Sequence, residues 1–168
     1  MEETFVNKVA NSGIITLNLE DYFPQGERKL IDIKEVLFMG MVLREKDFRD
    51  WVKTHDWLAY KDCFVAIYCS ADAIVPTWAY MLIASKLSSV AKDVVFGDLS
   101  ALEAVLWEKA LHSINPGKFE GERVVIKGCG DLPVTAAAYS LITLKLTPVV
   151  KSIMYGEPCS TVPIFKSK

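Results

Sequence analysis

Two periods of hydrophobicity run through this chain, and one arrangement of them occurs twice. Residues 65–98 read VAIYCSADAIVPTWAYMLIASKLSSVAKDVVFGD, and residues 124–157 read VVIKGCGDLPVTAAAYSLITLKLTPVVKSIMYGE. They align without a gap at a constant spacing of 59 residues, with identities at Ile67/Ile126, Asp72/Asp131, Tyr80/Tyr139, Ile83/Ile142, Lys86/Lys145 and Gly97/Gly156 among others. Each copy reads as strand, turn, helix and strand. One structural unit is used twice.

From Phe64 onward the apolar runs Val65–Cys69, Val94–Phe96, Val124–Lys127 and Ile153–Tyr155 predict strands. Their starts lie roughly 30 residues apart, the length of a βαβ unit. They are continuous runs more than alternations, the mark of strands covered on both faces. The segments between them are helical. Trp78–Val90 and Ala136–Val149 carry almost no charge beyond Lys86 and Lys145. A helix apolar nearly all round predicts burial. The middle helix, Leu99–Ile114, has a wet face with Glu103, Glu108 and Lys109. Ser100-Ala101-Leu102-Glu103 fits a capping box at its start, and Asp72 and Asp131 fit N-caps of the repeat helices.

Upstream the pattern is less regular. Residues 1–12 suggest a short helix or arm. Ile15, Leu17 and Leu19 alternate with polar residues, predicting a half-buried strand, and Lys29–Ile33 fits a second. Val36–Leu43 is an apolar run broken by Gly40 that fits helix or strand equally. Arg44–Thr54 predicts a charged helix with Phe48, Trp51 and Val52 as its apolar stripe. The tail Val162–Phe165 fits a closing edge strand. The fold class these elements predict is α/β: a three-layer, mostly parallel sheet with an internal βαβ duplication (64–98 and 123–157) and an N-terminal α+β embellishment (1–62), forming a single domain over 1–168.

Composition adds limits. The 168 residues suit one domain. The mean hydropathy of +0.23 is generous for a soluble chain and suggests an apolar face left for a partner, so a homodimer or a protein partner is expected. A net charge of −2 without a basic block argues against nucleic acid. The longest apolar run, interrupted by Pro76, is too short to span a bilayer, and the start of the chain does not read as a signal peptide. A cytoplasmic location is expected.

The candidate chemistry lies where a parallel sheet gathers it, beyond the carboxyl ends of the strands. Four such ends are legible: Cys69-Ser70-Ala71-Asp72, Gly97-Asp98, Gly128-Cys129-Gly130-Asp131 and Gly156-Glu157-Pro158-Cys159-Ser160-Thr161. Each carries a carboxylate and three carry a thiol. One reading has Cys129 and Cys159 binding a metal or handling sulfur, with Glu157, Asp98 and Asp131 as secondary ligands. Thiolates would favour zinc or an iron–sulfur species. Cys129, between glycines near a helix start, is also placed for a lowered thiol pKa. The other reading makes the cysteines small core residues; Cys63 and Cys69 lean that way. A non-catalytic dimeric module with strand-end loops facing a partner is the alternative. A third reading is a small-anion enzyme using the helix starts, with Lys127 assisting; Asp72 and Asp131 argue against it, since they would occupy or repel an anion there. Cys69, Ser70, Asp72, Lys127, Ser160 and Thr161 are the candidate ligand-binding residues. His55 reads as packing against Trp57, and His112 as solvated. No P-loop, G-x-S-x-G, G-x-G-x-x-G or H-E-x-x-H occurs.

With these residues set out, the chain resembles an uncharacterised bacterial family, domain of unknown function number 2480. The matching segments are NSGIITLNLEDYFP (11–24), REKDFRDW (44–51), HDW (55–57), SADAIVPTWAYML (70–82), VVFGDL (94–99), VVIKGCGDLPV (124–134) and KSIMYGEPCSTVPIFK (151–166). Thr135 departs from the family's usual proline, which should alter a helix start and not the chemistry. The resemblance implies no established activity. The nearness of members' genes to iron–sulfur assembly genes favours the thiol reading.

Overall fold

The computed structural model describes residues 13–128, 130–157 and 159–168. The helix or arm expected in residues 1–12 lies outside them. The described chain is mixed α/β, as the repeat predicts, with two mostly parallel sheets and four α-helices.

The strands are β1 (Ile14–Asn18), β2 (Arg28–Asp32), β3 (Phe64–Tyr68), β4 (Asp93–Phe96), β5 (Arg123–Lys127), β6 (Ser152–Glu157) and β7 (Ser160–Lys166). The helices are α1 (Glu45–Thr54), α2 (Thr77–Leu87), α3 (Leu99–His112) and α4 (Ala136–Leu146). One sheet runs β1-β5-β6-β7 and the other β2-β3-β4. All pairings are parallel except β6 with β7, which is antiparallel. The single sheet expected from sequence is therefore two. β1 and β2, expected as part of an embellishment, each take an edge position beside a repeat strand.

The chain accordingly divides into two compact units, residues 1–24 with 106–168, and residues 25–105. The boundary falls inside α3. Within each unit the same parts recur, well beyond the segment that aligns by sequence. α2 and α4 begin and end 59 residues apart, and so do the 3-10 turns Trp57–Tyr60 and Pro116–Phe119, capped by Asp56 and Asn115. β1 and β2 match at a spacing of 14: each leads through a capping Asn18 or Asp32 into a 3-10 turn whose first residue, Leu19 or Ile33, is fully buried. Pro116-Gly117, which the sequence suggests as the end of α3, instead opens the second of the capped turns.

Each unit has its own core. In residues 25–105, Phe48 and Val52 of α1 and Ala79, Ile83 and Leu87 of α2 pack on Ile31, Val65 and Ile67 of the sheet. In the other unit, Trp107 and Leu111 of α3 and Ala138, Ile142 and Leu146 of α4 pack on Leu17, Val124, Ile126 and Ile153. α2 and α4 therefore each bury one stripe at positions i, i+4 and i+8. The all-round burial expected for α2 and α4 is not what the chain does. Met81 is 66% exposed and Leu144 is 73% exposed on their outer faces. A helix laid on one sheet is covered on one side only, however apolar the rest of it is.

Two helix starts also differ from expectation. Neither Asp72 nor Asp131 is a cap, because α2 begins at Thr77 after Pro76, and α4 is capped by Thr135, whose hydroxyl accepts from the Ala138 amide. α4 thus starts on a side-chain cap, where the matching Pro76 gives α2 none. α3 opens two residues before the expected capping box: the Asp98 carboxylate accepts from the Ala101 amide at 2.8 Å. Glu103 is left to grip Arg28, Nε to Oε1 at 2.6 Å.

Candidate functional site

Parallel pairing does place candidate residues at strand carboxyl ends, but at two sheet edges and not one. Cys69, Ser70, Asp72 and Asp98 follow β3 and β4. Lys127, Asp131, Glu157, Cys159, Ser160 and Thr161 belong to the end of β5 and β6. Cys129 lies outside the described residues, as does Pro158.

At the β3–β4 edge the groups are occupied by local structure. Asp32, at the end of β2, accepts from the amides of Ser70 at 2.9 Å and Lys34 at 3.0 Å. Burial works against ionising Asp32, but the hydrogen bonds from Ser70 and Lys34 outweigh it and hold the carboxyl below the ordinary value. The Cys69 thiol faces the Ala71 carbonyl at 3.8 Å. Tyr80 is pushed upward by burial first, then by the negative charges possible at Cys69 and Asp32. Asp72 is exposed. Asp98 is the α3 cap.

The β5–β6 edge is built differently. Lys127 ends β5 and Glu157 ends β6, and parallel register brings Lys127 Nζ to 3.4 Å from Glu157 Oε2. Both side chains are partly in water, so the pair contributes little to stability. Lys127, expected to assist an anion, is thus paired with a carboxylate. The buried Gly128 follows. A Cβ there would lie 2.8 Å from the Tyr139 hydroxyl, so the absent side chain is what lets Tyr139 reach the strand end. The loop after it rests on Glu20: the Leu132 amide donates to Glu20 Oε1 at 3.4 Å, and a Cβ on Gly130 would meet the same oxygen at 2.5 Å. Asp131 is exposed. Beyond Glu157 the chain turns into β7, with Cys159 and Ser160 exposed and the Thr161 hydroxyl 3.8 Å from Met154 Sδ. No group of three or more His, Cys, Asp or Glu residues with metal-binding geometry occurs among the described residues.

Beside this edge is a feature the sequence did not announce. A groove of about 630 Å³ runs between the outer face of α4 and the β6–β7 hairpin. Tyr139, Ser140, Thr143 and Leu144 form one wall; Met154, Tyr155 and Ile164 form the other. Tyr139 and Tyr155 meet edge to face at 5.3 Å. No charged residue lines it. Its signal in the sequence was the chargeless outer face of α4, which was read as buried.

Cys63 and His55 are packed into the fold. Cys63 is buried, and burial pushes its thiol upward. His55 lies 4.5 Å from Trp51 and 4.7 Å from Trp57 by ring centres, with Nε2 3.1 Å from the Tyr60 hydroxyl. That is the packing expected of it. His112 is exposed in the last turn of α3.

No helix among the described residues is long and apolar enough to cross a membrane. No curated protein and no solved structure matches the chain. Residues 3–167 match the family described as Protein of unknown function (DUF2480). On a match of that extent, carried by both copies of the repeat and by the β6–β7 hairpin, the chain belongs to the DUF2480 family.

Proposed function

We propose that the protein is a non-catalytic interaction module that docks a partner protein through the groove between α4 and the β6–β7 hairpin. The observation that supports it is the chargeless, solvent-open lining of that groove, with Leu144 at 73% and Ile164 at 52% exposed. Water held against such a surface costs free energy at about 25 cal/mol per Å² of apolar area. Contiguous apolar concavities rimmed by polar groups are where soluble chains take partners. The module works in the cytoplasm, where the free thiols Cys63, Cys69 and Cys159 stay reduced. Hydroxyl-radical footprinting of Met154, Tyr155 and Ile164 tests the reading. It is run on dilute protein, on concentrated purified protein and on protein added to cell extract. Protection in either of the last two, lost in Leu144→Asp, supports a docking groove. Equal labelling in all three ends the reading.

A second reading has its own observation. Cys159 is exposed at the β6–β7 turn, two residues from Glu157 and on the unit that also carries Asp131. These residues would hold zinc or an iron–sulfur species, with zinc–sulfur bonds of about 2.3 Å. The set is complete only with Cys129. Elemental analysis of the wild type beside Cys129→Ser and Cys159→Ser tests it. Stoichiometric metal that falls in both variants supports the site, and metal-free protein with unreactive thiols removes it.

A further inference from the structure

Unpaired strand backbone invites another strand, and chains close such edges with local devices. Residues 36–43, which fit helix or strand equally in the sequence, close on themselves. Phe38 and Val42 exchange backbone hydrogen bonds across a hairpin whose tip residue, Met39, is 74% exposed. β7, at the edge of its sheet, carries Pro163 and a register shift. A proline has no N–H to offer, and an irregular strand twists away from a template.

β4 ends the other sheet, and its counterpart 59 residues on is β6. β6 pairs with β5 on one side and β7 on the other. β4 pairs with β3, and among the described residues no strand lies on its other side. The register tells which groups are left over. Ile67 stands opposite Phe96, and its carbonyl accepts from the Gly97 amide at 2.9 Å. In a parallel ladder the N–H and C=O of one residue face the same way, and successive residues alternate. Phe96 and Val94 therefore turn their backbone groups outward. The matching residues of β6, Tyr155 and Ile153, lie opposite Val162 and Phe165 of β7.

The run Val94-Val95-Phe96 is apolar and suited to strands, and Phe96 is 71% exposed. What differs from β6 is the residue before it. β4 opens on Asp93 and β6 on Ser152. The Asp93 carboxylate accepts from the Val94 amide at 2.9 Å. The first outward donor of β4 is thus taken by a side chain of the chain itself. The copy that carries serine there has β7 alongside.

We infer that Asp93 guards the β4 edge: it closes the strand to addition, and without it a second copy of this chain pairs with β4 in antiparallel fashion. The backbone selects that occupant. A twofold axis at Val95 sets Val94 of each copy opposite Phe96 of the other, so both outward residues on each strand find partners at once. A strand arriving at the wild-type edge has to displace the carboxylate from the Val94 amide and leave it desolvated. All the pairing residues belong to the unit formed by residues 25–105, so the inference is independent of the groove.

Sedimentation velocity over a wide concentration range tests it on the wild type, on Asp93→Ser, which copies the residue of β6, and on Asp93→Asn, which keeps an acceptor oxygen without the charge. Asp93→Ser should self-associate more tightly than the wild type by roughly tenfold or more, the worth of hydrogen bonds regained at two symmetric sites. Asp93→Asn should fall between them, and it carries the comparison should Asp93→Ser fail to fold by circular dichroism. Phe96→Lys added to Asp93→Ser charges the exposed edge and should return the wild-type behaviour. Leu144→Asp added in its place should leave the association intact, which separates the edge from the groove. In the associated variant, hydrogen exchange at the Val94 and Phe96 amides should slow relative to dilute protein. Asp93 variants that associate no more than the wild type, association that survives Phe96→Lys, or slowed exchange confined to other strands overturn the inference. So does a wild type whose own Val94 and Phe96 amides slow on concentration, since its edge would then be open.

Discussion

The Tyr139 hydroxyl lies 2.8 Å from the position a Cβ would take on Gly128. In the other copy of the repeat the residue matching Gly128 is Cys69, and Tyr80 matches Tyr139. The two sheet edges have therefore diverged by exchanging a thiol for space. Gly128→Cys copies the residue of the other unit and drives its Cβ into the hydroxyl. Overpacking of this kind costs about 1–3 kcal/mol. Chemical denaturation should show that loss, and Tyr139→Phe in the Gly128→Cys background should recover part of it. A Gly128→Cys protein as stable as the wild type would show that Tyr139 moves aside freely.

Phe48 and Trp107 stand 59 residues apart and are each fully buried, one in each unit's core. Replacing either by alanine should cost about 3–5 kcal/mol, the usual range for a buried aromatic. Trp107 carries a further term. Its Nε1 is buried with no hydrogen-bond partner among the described residues. Trp107→Phe removes volume but also removes an unpaired donor, so its cost in urea unfolding should stay well below that of Trp107→Ala, near 1 kcal/mol.

His55 is held below its ordinary pKa, first by burial, with Asp56 pulling the other way. Above the unfolded value of about 6.5 the ring is neutral in both states and its contribution to stability is complete. As pH falls below that, the unfolded chain takes up the proton first, and stability drops until the folded pKa is passed. The melting temperature should fall between pH 7 and pH 5 more steeply in the wild type than in His55→Gln. Parallel curves for the two proteins would remove His55 from the acid response.

Among the described thiols, Cys159 is exposed and Cys63 is buried at 4%. The thiolate is the reactive form, and burial both hides Cys63 and disfavours its ionisation. Brief iodoacetamide treatment of the folded protein should label the Cys159 peptide and leave the Cys63 peptide unmodified until denaturant is added. Rapid labelling of Cys63 in native buffer would mean that the turn before β3 opens readily.

Much of the architecture could be read without coordinates, because it is written in local periodicity. The gapless spacing of 59 residues placed four strands and two helices, and helix α1 followed from the stripe of Phe48 and Val52. Extended hydrophobic runs at βαβ spacing force parallel pairing, since the crossover helix returns the chain to the same end of the sheet. The division into two sheets was not legible. A strand's sequence says which of its faces is apolar and nothing about which strand lies beside it. The match of β1 to β2 at a spacing of 14 is carried by a capping Asn18 or Asp32 and little identity, so it emerged only from shared hydrogen bonding.

The candidate site divides in the same way. The amino-acid order by itself determined that carboxylates and thiols would follow strand ends, because a residue just past a parallel strand has nowhere else to go. Tertiary pairing decided which ends share an edge. It put Asp98 after a strand of a different sheet from the one that Glu157 and Cys159 follow, used Asp98 as a helix cap, and coupled Lys127 to Glu157. It also decided the fate of the apolar surplus. Composition determined only that the chain carries chargeless faces such as that of α4. Only the packing of each helix on one side of its sheet left that face, and the hairpin at Met39, in water, because burial depends on what lies opposite a side chain and not on the side chain alone.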